Sequence, residues 1–324
     1  MGGPIDHGAA RDGLHERGGR RRVATAYLLL VLVILLWGAN WPIMKIGLDS
    51  IPPLAFGAAR MAIGAMTLFA LLAATGRLAA PTRRDMPVVL SEGLLHMAAP
   101  IALMNLALQH VEAGRSAVLS FTTTLWIVPV AILVLGERVT PSKALGLAVG
   151  LVGVLVLFNP AALDWSAREV VIANALLMVA AGTWAAAILV ARGRALVRTP
   201  LQLTPWQLLV AAGVLLVPAL LLESADDVRW SLELALVLGF NGPIASGFCF
   251  WAALVVARDL PSIEASMGFL GVPVAGVLFS AAVLGEALTP SLVAGLAGIV
   301  VGIALVNLGD TRVGRRTAKG EPHG

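Results

Sequence analysis

Leu135–Gly153 reads LGERVTPSKALGLAVGLVG and Leu284–Gly302 reads LGEALTPSLVAGLAGIVVG, an offset of 149 residues with 11 identities in 19 positions. Identity of that density marks a duplication, so the chain holds two copies of one unit. Each copy of the motif also reads as a helix start. Thr140 and Thr289 suit the N-cap, where a side-chain oxygen accepts from an orphan amide, and Pro141 and Pro290 suit the first turn, where no backbone donor is lost. Glu137 and Glu286 can answer the positive end of the following helix or pair across the loop, a structural role.

Outward from the motif the sequence is apolar: 58% of residues are hydrophobic, 13% are charged and the mean hydropathy is +0.88, which excludes a water-soluble fold. Runs long enough to cross a bilayer recur near 24–45, 54–75, 88–109, 115–135, 142–158, 169–190, 204–222, 232–256, 262–284 and 290–308. Short connections rich in Pro, Gly, Asp and Arg separate them. The expected fold is an all-α polytopic membrane protein with ten transmembrane helices, arranged as two inverted five-helix repeats. The units are 23–159 and 160–308, between polar, basic tails at 1–22 and 309–324 that are expected to be disordered.

Basic residues set the orientation. With ten spans and a cytoplasmic N-terminus, eighteen of the 23 Lys and Arg residues fall on the cytoplasmic face, leaving Lys45, Arg60, Arg115, Arg168 and Arg229. Both termini are therefore expected in the cytoplasm, with the chain in the inner (plasma) membrane. Five spans per copy is an odd number, so the first LGExxTP faces the cytoplasm and the second faces outside. Two like units of opposite orientation can exchange conformations and expose one midplane site alternately, as secondary transporters do. The basic pI of about 10.0 does not point to nucleic acid, since no basic stripe is interleaved with aromatics. The single cysteine, Cys249, lies in an apolar segment and offers neither an internal disulfide nor a cysteine metal cluster.

The residues also resemble a known family, the EamA-type permeases of the drug/metabolite transporter superfamily. LLWGANWPIMKIGL (Leu35–Leu48) looks like the family's first helix and PPLAFGAARMAIGA like its second. AGRSAVLSFTTTLWIVPVAILVLGERVTP (Ala113–Pro141) is similar to the fourth, and Trp251, Leu260, Pro261 and Pro273 lead a weaker copy into LGEALTP. The resemblance covers nearly the whole chain outside the tails. It implies ten helices, cytoplasmic termini and a central cavity lined by helices one, three, four, six, eight and nine. One departure is Thr124, which stands where the family has proline; Pro129 lies further along the same helix, and Pro273 keeps the proline in the second half. Gly146, Gly150 and Gly153 in the fifth helix, and Gly295, Gly298 and Gly302 in the tenth, permit close helix contact, either within one chain or in a homodimer.

Ionisable and amide groups inside spans are the candidates for function, because burying them in lipid is costly unless they face a cavity or a partner. Glu92 and His96 are four apart on one helix face, and from a start near Pro87 His96 lies about 13 Å into a hydrocarbon core about 30 Å thick. An imidazole changes charge near neutral pH and a carboxylate beside it favours the protonated ring, so the pair suits proton coupling or a substrate carboxylate; an interhelical hydrogen bond is the plainer use. Trp37, Asn40 and Trp41 share a face of helix one, and Trp184 falls at the matching place of helix six; an amide between indoles can orient an organic substrate. Thr122, Thr123, Thr124 and Trp126 form a polar patch, although threonine hydroxyls often bond their own helix carbonyls. Asn105 and Asn241 must point inward, and Trp251 completes the substrate-binding set by resemblance. Arg60 and Lys45 could attract an anion, with Asp49 an alternative partner for Lys45.

These features leave a carrier of a small-molecule substrate as the leading class. No G-x-x-x-x-G-K phosphate loop occurs, no cofactor or metal is indicated, and the Glu92/His96 pair is too sparse for an intramembrane enzyme. A channel or sensor does not need the repeat. By resemblance, amino acids and related metabolites are the expected cargo and export the expected direction, with drug efflux and nutrient uptake as alternatives.

Overall fold

A computed structural model describes residues 7–123, 125–126, 141–158, 167–191, 194–260, 265 and 268–319. Among them all regular structure is helical. The elements are α1 (His7–Leu48), α2 (Pro53–Ala74), α3 (Met86–Leu108), α4 (Ala113–Ser120), α5 (Pro141–Phe158), α6 (Arg168–Ala191) and α7 (Pro200–Leu222). Then come α8, which begins as Leu232–Phe240 and ends as Cys249–Asp259, α9 (Gly271–Leu284) and α10 (Pro290–Lys319). Stretches of α1, α2, α3, α6, α7 and α8, six in all among the described residues, are long and apolar enough to cross a membrane. Thr124, Pro129, Glu137 and Thr140 lie outside the described residues.

Two expectations change. The tails continue as helix, from His7 into α1 and through Lys319 in α10, because an anchored helix adds residues without a new nucleation cost. Lys45 does not pair with Asp49: its Nζ donates to the carbonyls of Leu108 and, at 3.0 Å, Val111, capping the carbonyl end of α3.

Local chemistry accounts for the helix ends. Thr289 Oγ1 accepts from the Leu292 amide at 3.2 Å, the N-cap the motif predicts. Gly285, at φ +69°, ends α9 in the left-handed conformation that a side chain would oppose. Thr199 and Gln202 form a reciprocal capping box at the start of α7.

Both α3 and α8 widen into a π-helix midway, over Glu92–Ala98 and Asn241–Phe248. The two starts are 149 residues apart, the same offset as the LGExxTP motifs. In α3 the cause is visible: Pro100 has no amide to offer the carbonyl four residues back, at His96.

Within the spans Asn40, Asn105, Asn174 and Asn241 are buried, while the outer faces carry exposed leucines, with Leu221 and Leu222 each 77% exposed. In lipid those leucines lose nothing by exposure, so cohesion between helices rests on close packing and hydrogen bonds. The α5–α10 pair shows this most clearly: a methyl group placed on Gly302 would meet the Gly150 backbone at 2.5 Å, so the two helices touch main chain to main chain. The glycines read as a contact surface are thus used within one chain.

Hydrogen bonds between halves tie both ends of the bundle. At the end bearing Lys45, the Glu223 carboxylate accepts from the Leu54 and Ala55 amides at 2.8 and 2.7 Å, and Glu286 from the Ala113 and Gly114 amides at 2.6 and 2.8 Å. Each carboxylate sits on a helix N-terminus, which attracts negative charge. At the end bearing Arg22 and Arg258, Asp85 accepts from the Thr82 hydroxyl at 2.7 Å and the Val197 amide at 2.8 Å. Nearby, Trp206 Nε1 donates to the Ala79 carbonyl at 3.0 Å.

Candidate functional site

The π segment of α3 carries Glu92 and His96 onto an inner face of the bundle. Their side chains are 16% and 19% exposed, and the Glu92 carboxylate is hydrogen-bonded to His96 Nδ1. His96 Nε2 is buried with no protein partner. Around the imidazole stands a collar of aromatic rings. Trp184 stacks on it at 4.9 Å between centroids with a 30° tilt, and Phe250 meets it edge-on at 5.6 Å. Phe121 contacts Trp184 at 5.9 Å, and Trp37 contacts Phe250 at 5.6 Å. Trp37 is held in place by donating from Nε1 to the Ala245 carbonyl, in the π segment of α8, at 2.9 Å.

The collar separates two cavities. The larger, of about 460 Å³, extends toward the Arg22 end and is lined by Glu92, His96, Thr123, Trp184, Gln207, Phe250 and Phe269, among others. The smaller, of about 70 Å³, lies toward the Lys45 end among Asn40, Trp41, Met44, Arg60, Pro100 and Met104. Trp37, His96, Phe121, Trp184 and Phe250 line both. Among the described residues, Glu92, His96 and Arg60 are the ionisable ones on these two walls.

Arg60 is 2% exposed. Its Nε donates to Ser246 Oγ at 3.3 Å and its Nη1 to the Met44 thioether at 3.1 Å. Asn40 is also buried, with Nδ2 on Met44 Sδ at 2.9 Å and Oδ1 without a partner.

Of the residues picked out in the sequence, the large cavity gathers Trp37, Glu92, His96, Thr123 and Trp184, and the small one adds Asn40, Trp41 and Arg60. Thr123 turns its hydroxyl onto the Ser120 carbonyl at 3.2 Å. Four others stand apart. Asn105 donates to the Pro53 carbonyl at 2.8 Å and braces α2 against α3, and Asn241 donates to the Val237 carbonyl of its own helix at 3.1 Å. Trp126 is 40% exposed and lies over Gly182 of α6. Trp251 lines a separate pocket of about 710 Å³ beside Arg22, Arg77 and Arg258. One residue of helix is a turn of about 100°, so Phe250, not its neighbour, faces the collar.

Phe121, Phe250, Phe269 and Gln207 were not singled out in the sequence, because apolar rings in an apolar span carry no contrast. Gln207 had a signal: like Arg60, it stands seven residues past the proline that opens its helix, Pro53 or Pro200.

The large cavity, with an ionisable pair on its wall, is lined from α1, α3, α6, α7, α8 and α10 and from residues just after α4 and just before α9, with Arg60 of α2 below it; the set implied by the resemblance, helices one, three, four, six, eight and nine, thus leaves out α2, α7 and α10. The EamA-like transporter family matches this chain at residues 24–159 and again at 171–308. The chain belongs to that family. As an EamA-like transporter with several helices of membrane length, it is a multi-pass membrane protein. Similar EamA-type proteins include the "Uncharacterized transporter YoaV" of Bacillus subtilis, 27% identical over 85% of this chain and 94% of that one. The "Probable amino-acid metabolite efflux pump" of Salmonella typhimurium is 27% identical over 90% and 97%. The "Probable terminal-alkyne amino-acid exporter" of Streptantibioticus cattleyicolor is 29% identical over 93% and 99%. A crystal structure of a protein 22% identical in sequence shares the fold with a TM-score of 0.61, over 91% of this chain and 99% of that one.

Proposed function

We propose that this EamA-like transporter is a secondary carrier that exports amino acids or related small metabolites across the inner membrane by alternating access. In this reading it has ten spans, in two inverted units at 23–159 and 160–308, with both termini in the cytoplasm. The observation that carries it is the one-sidedness of the cavity. Toward the Arg22 end the large cavity adjoins, through Leu254, the pocket among Arg22, Arg77 and Arg258. Toward the Lys45 end, Glu223, Glu286 and Lys45 hold helix ends together below Arg60. The basic residues gather on the first end, so the positive-inside rule makes it cytoplasmic and the conformation inward-facing. The printed names of the Salmonella and Streptantibioticus relatives support the cargo class.

The aromatic collar suits an organic substrate with an apolar side chain, and Glu92 with His96 suits a proton that moves in exchange. The test has two arms. Cells with the protein should release at least one amino acid into the medium faster than cells without it. Purified protein in liposomes should support saturable counterflow of that amino acid. Release that is the same in both strains would sink the export reading. Flux that rises linearly with concentration would mark a channel instead.

A further inference from the structure

Building on the export reading, we infer that Arg60 is the anion subsite of the cavity: it receives the carboxylate of the transported molecule, while Asn40 Oδ1 receives an ammonium group beside it. A guanidinium carries five N–H donors, and among the described residues Arg60 meets a hydroxyl at 3.3 Å and a thioether at 3.1 Å and no other acceptor. No carboxylate among the described residues pairs with it. A cation so deeply buried is costly without an anion, and a cost of that kind inside a membrane span points to a ligand.

The surroundings fit a carboxylate. Arg60 lines the small cavity, whose volume of about 70 Å³ holds a compact polar head group and excludes a bulky one. Arginine binds carboxylates through two parallel hydrogen bonds, which a hydroxyl and a thioether cannot supply. Asn40 Oδ1, unpartnered in the same cavity, is an acceptor that would repel a carboxylate but welcome an ammonium. With the head group at Arg60, the rest of the molecule extends past His96 and Trp184 into the larger cavity of about 460 Å³, where an apolar or aromatic side chain meets ring faces.

Three probes of one shape test this on purified, detergent-solubilised protein by titration calorimetry. 3-Phenylpropionate has the carboxylate alone, L-phenylalanine has both groups, and L-phenylalaninamide lacks the carboxylate. Phenylalanine is expected to bind more tightly than phenylpropionate, and the amide to bind at least about tenfold more weakly than phenylalanine, because a buried charged donor would be left unpaired. Arg60→Gln should erase the preference for the acids, and Arg60→Lys, which keeps the charge without the fork, should restore part of it. The comparison on the unaltered protein decides the matter even if Arg60→Gln fails to fold. An amide that binds as well as the amino acid, acids that bind Arg60→Gln as tightly as the unaltered protein, or no binding of either acid at millimolar concentration would overturn the assignment. Equal affinity for phenylpropionate and phenylalanine would overturn the role of Asn40. If cells export amino acids but the amide binds equally well, the Arg60 site fails and the export reading stands. If phenylpropionate needs Arg60 but no amino acid is moved, the reverse holds.

Discussion

An imidazole with one nitrogen on a carboxylate and the other facing no protein atom has a position left for a proton or a substrate. His96 stands in that state between the stacked ring of Trp184 and the edge of Phe250. If it couples transport to protons, His96→Gln keeps a polar side chain but takes away the ring that would carry the proton. Uphill movement driven by a proton gradient should then be lost in proteoliposomes, while exchange at equal concentrations survives. A gradient dependence that is unchanged in the variant would end the coupling idea. His96 and Glu92 were legible because charge stands out in an apolar span. Trp37 and Trp184 were legible by their spacing. Phe250 was not, since nothing in a string of letters fixes the rotation of α8, and its π segment shifts the phase further. Arg60 was visible as a buried charge, but its place beneath the collar depends on packing between α1, α2 and α3.

At the level of elements, the two glycine-rich helices were the clearest prediction of close contact, and α5 against α10 supplies it. The backbone at Gly150 cannot yield to a side chain on Gly302, which would sit 2.5 Å away. Overpacking costs about 1–3 kcal/mol even where side chains can adjust, so Gly302→Leu should lower the melting temperature in detergent and the amount of protein in the membrane. Gly213→Leu is the control, because nothing lies within 4 Å of a methyl group there and a better helix former replaces glycine. Equal losses in both variants would show that the contact does not matter. The glutamate of the second LGExxTP motif was only half legible. A cap was the expected role for Glu286, but the helix it caps is α4, from the other half, not the α10 that follows it. A motif shows that a carboxylate seeks a helix N-terminus, whereas the choice of helix is made by tertiary packing.

Across the whole molecule, one tie between the two halves is Asp85, which bridges the loop after α2 to the loop before α7. Burial pushes this carboxyl up, but hydrogen bonds from the Thr82 hydroxyl and amide and from the Val197 and Arg198 amides outweigh it and hold the group at about 2. A depressed carboxyl stabilises the folded state above its unfolded value of about 3.9 and loses that effect as pH falls toward the folded value. Melting temperature should thus fall as the pH drops from about 4 to 2. Asp85→Asn should melt lower than the unaltered protein at pH 7 and respond less to pH in that window. Identical melting at pH 7 would remove Asp85 as a tie between the halves. The internal repeat was plain in the sequence, but the imbalance between its copies needed the structure. The π segments begin 149 residues apart, and at that offset Glu92 answers to Asn241 and His96 to Ala245. Arg60 and Gln207 likewise share a place in their helices. Ancestry left two copies of the scaffold and one copy of the ionisable chemistry, so the duplication brings no redundancy: a lesion at Arg60, Glu92 or His96 has no twin elsewhere in the chain to stand in for it.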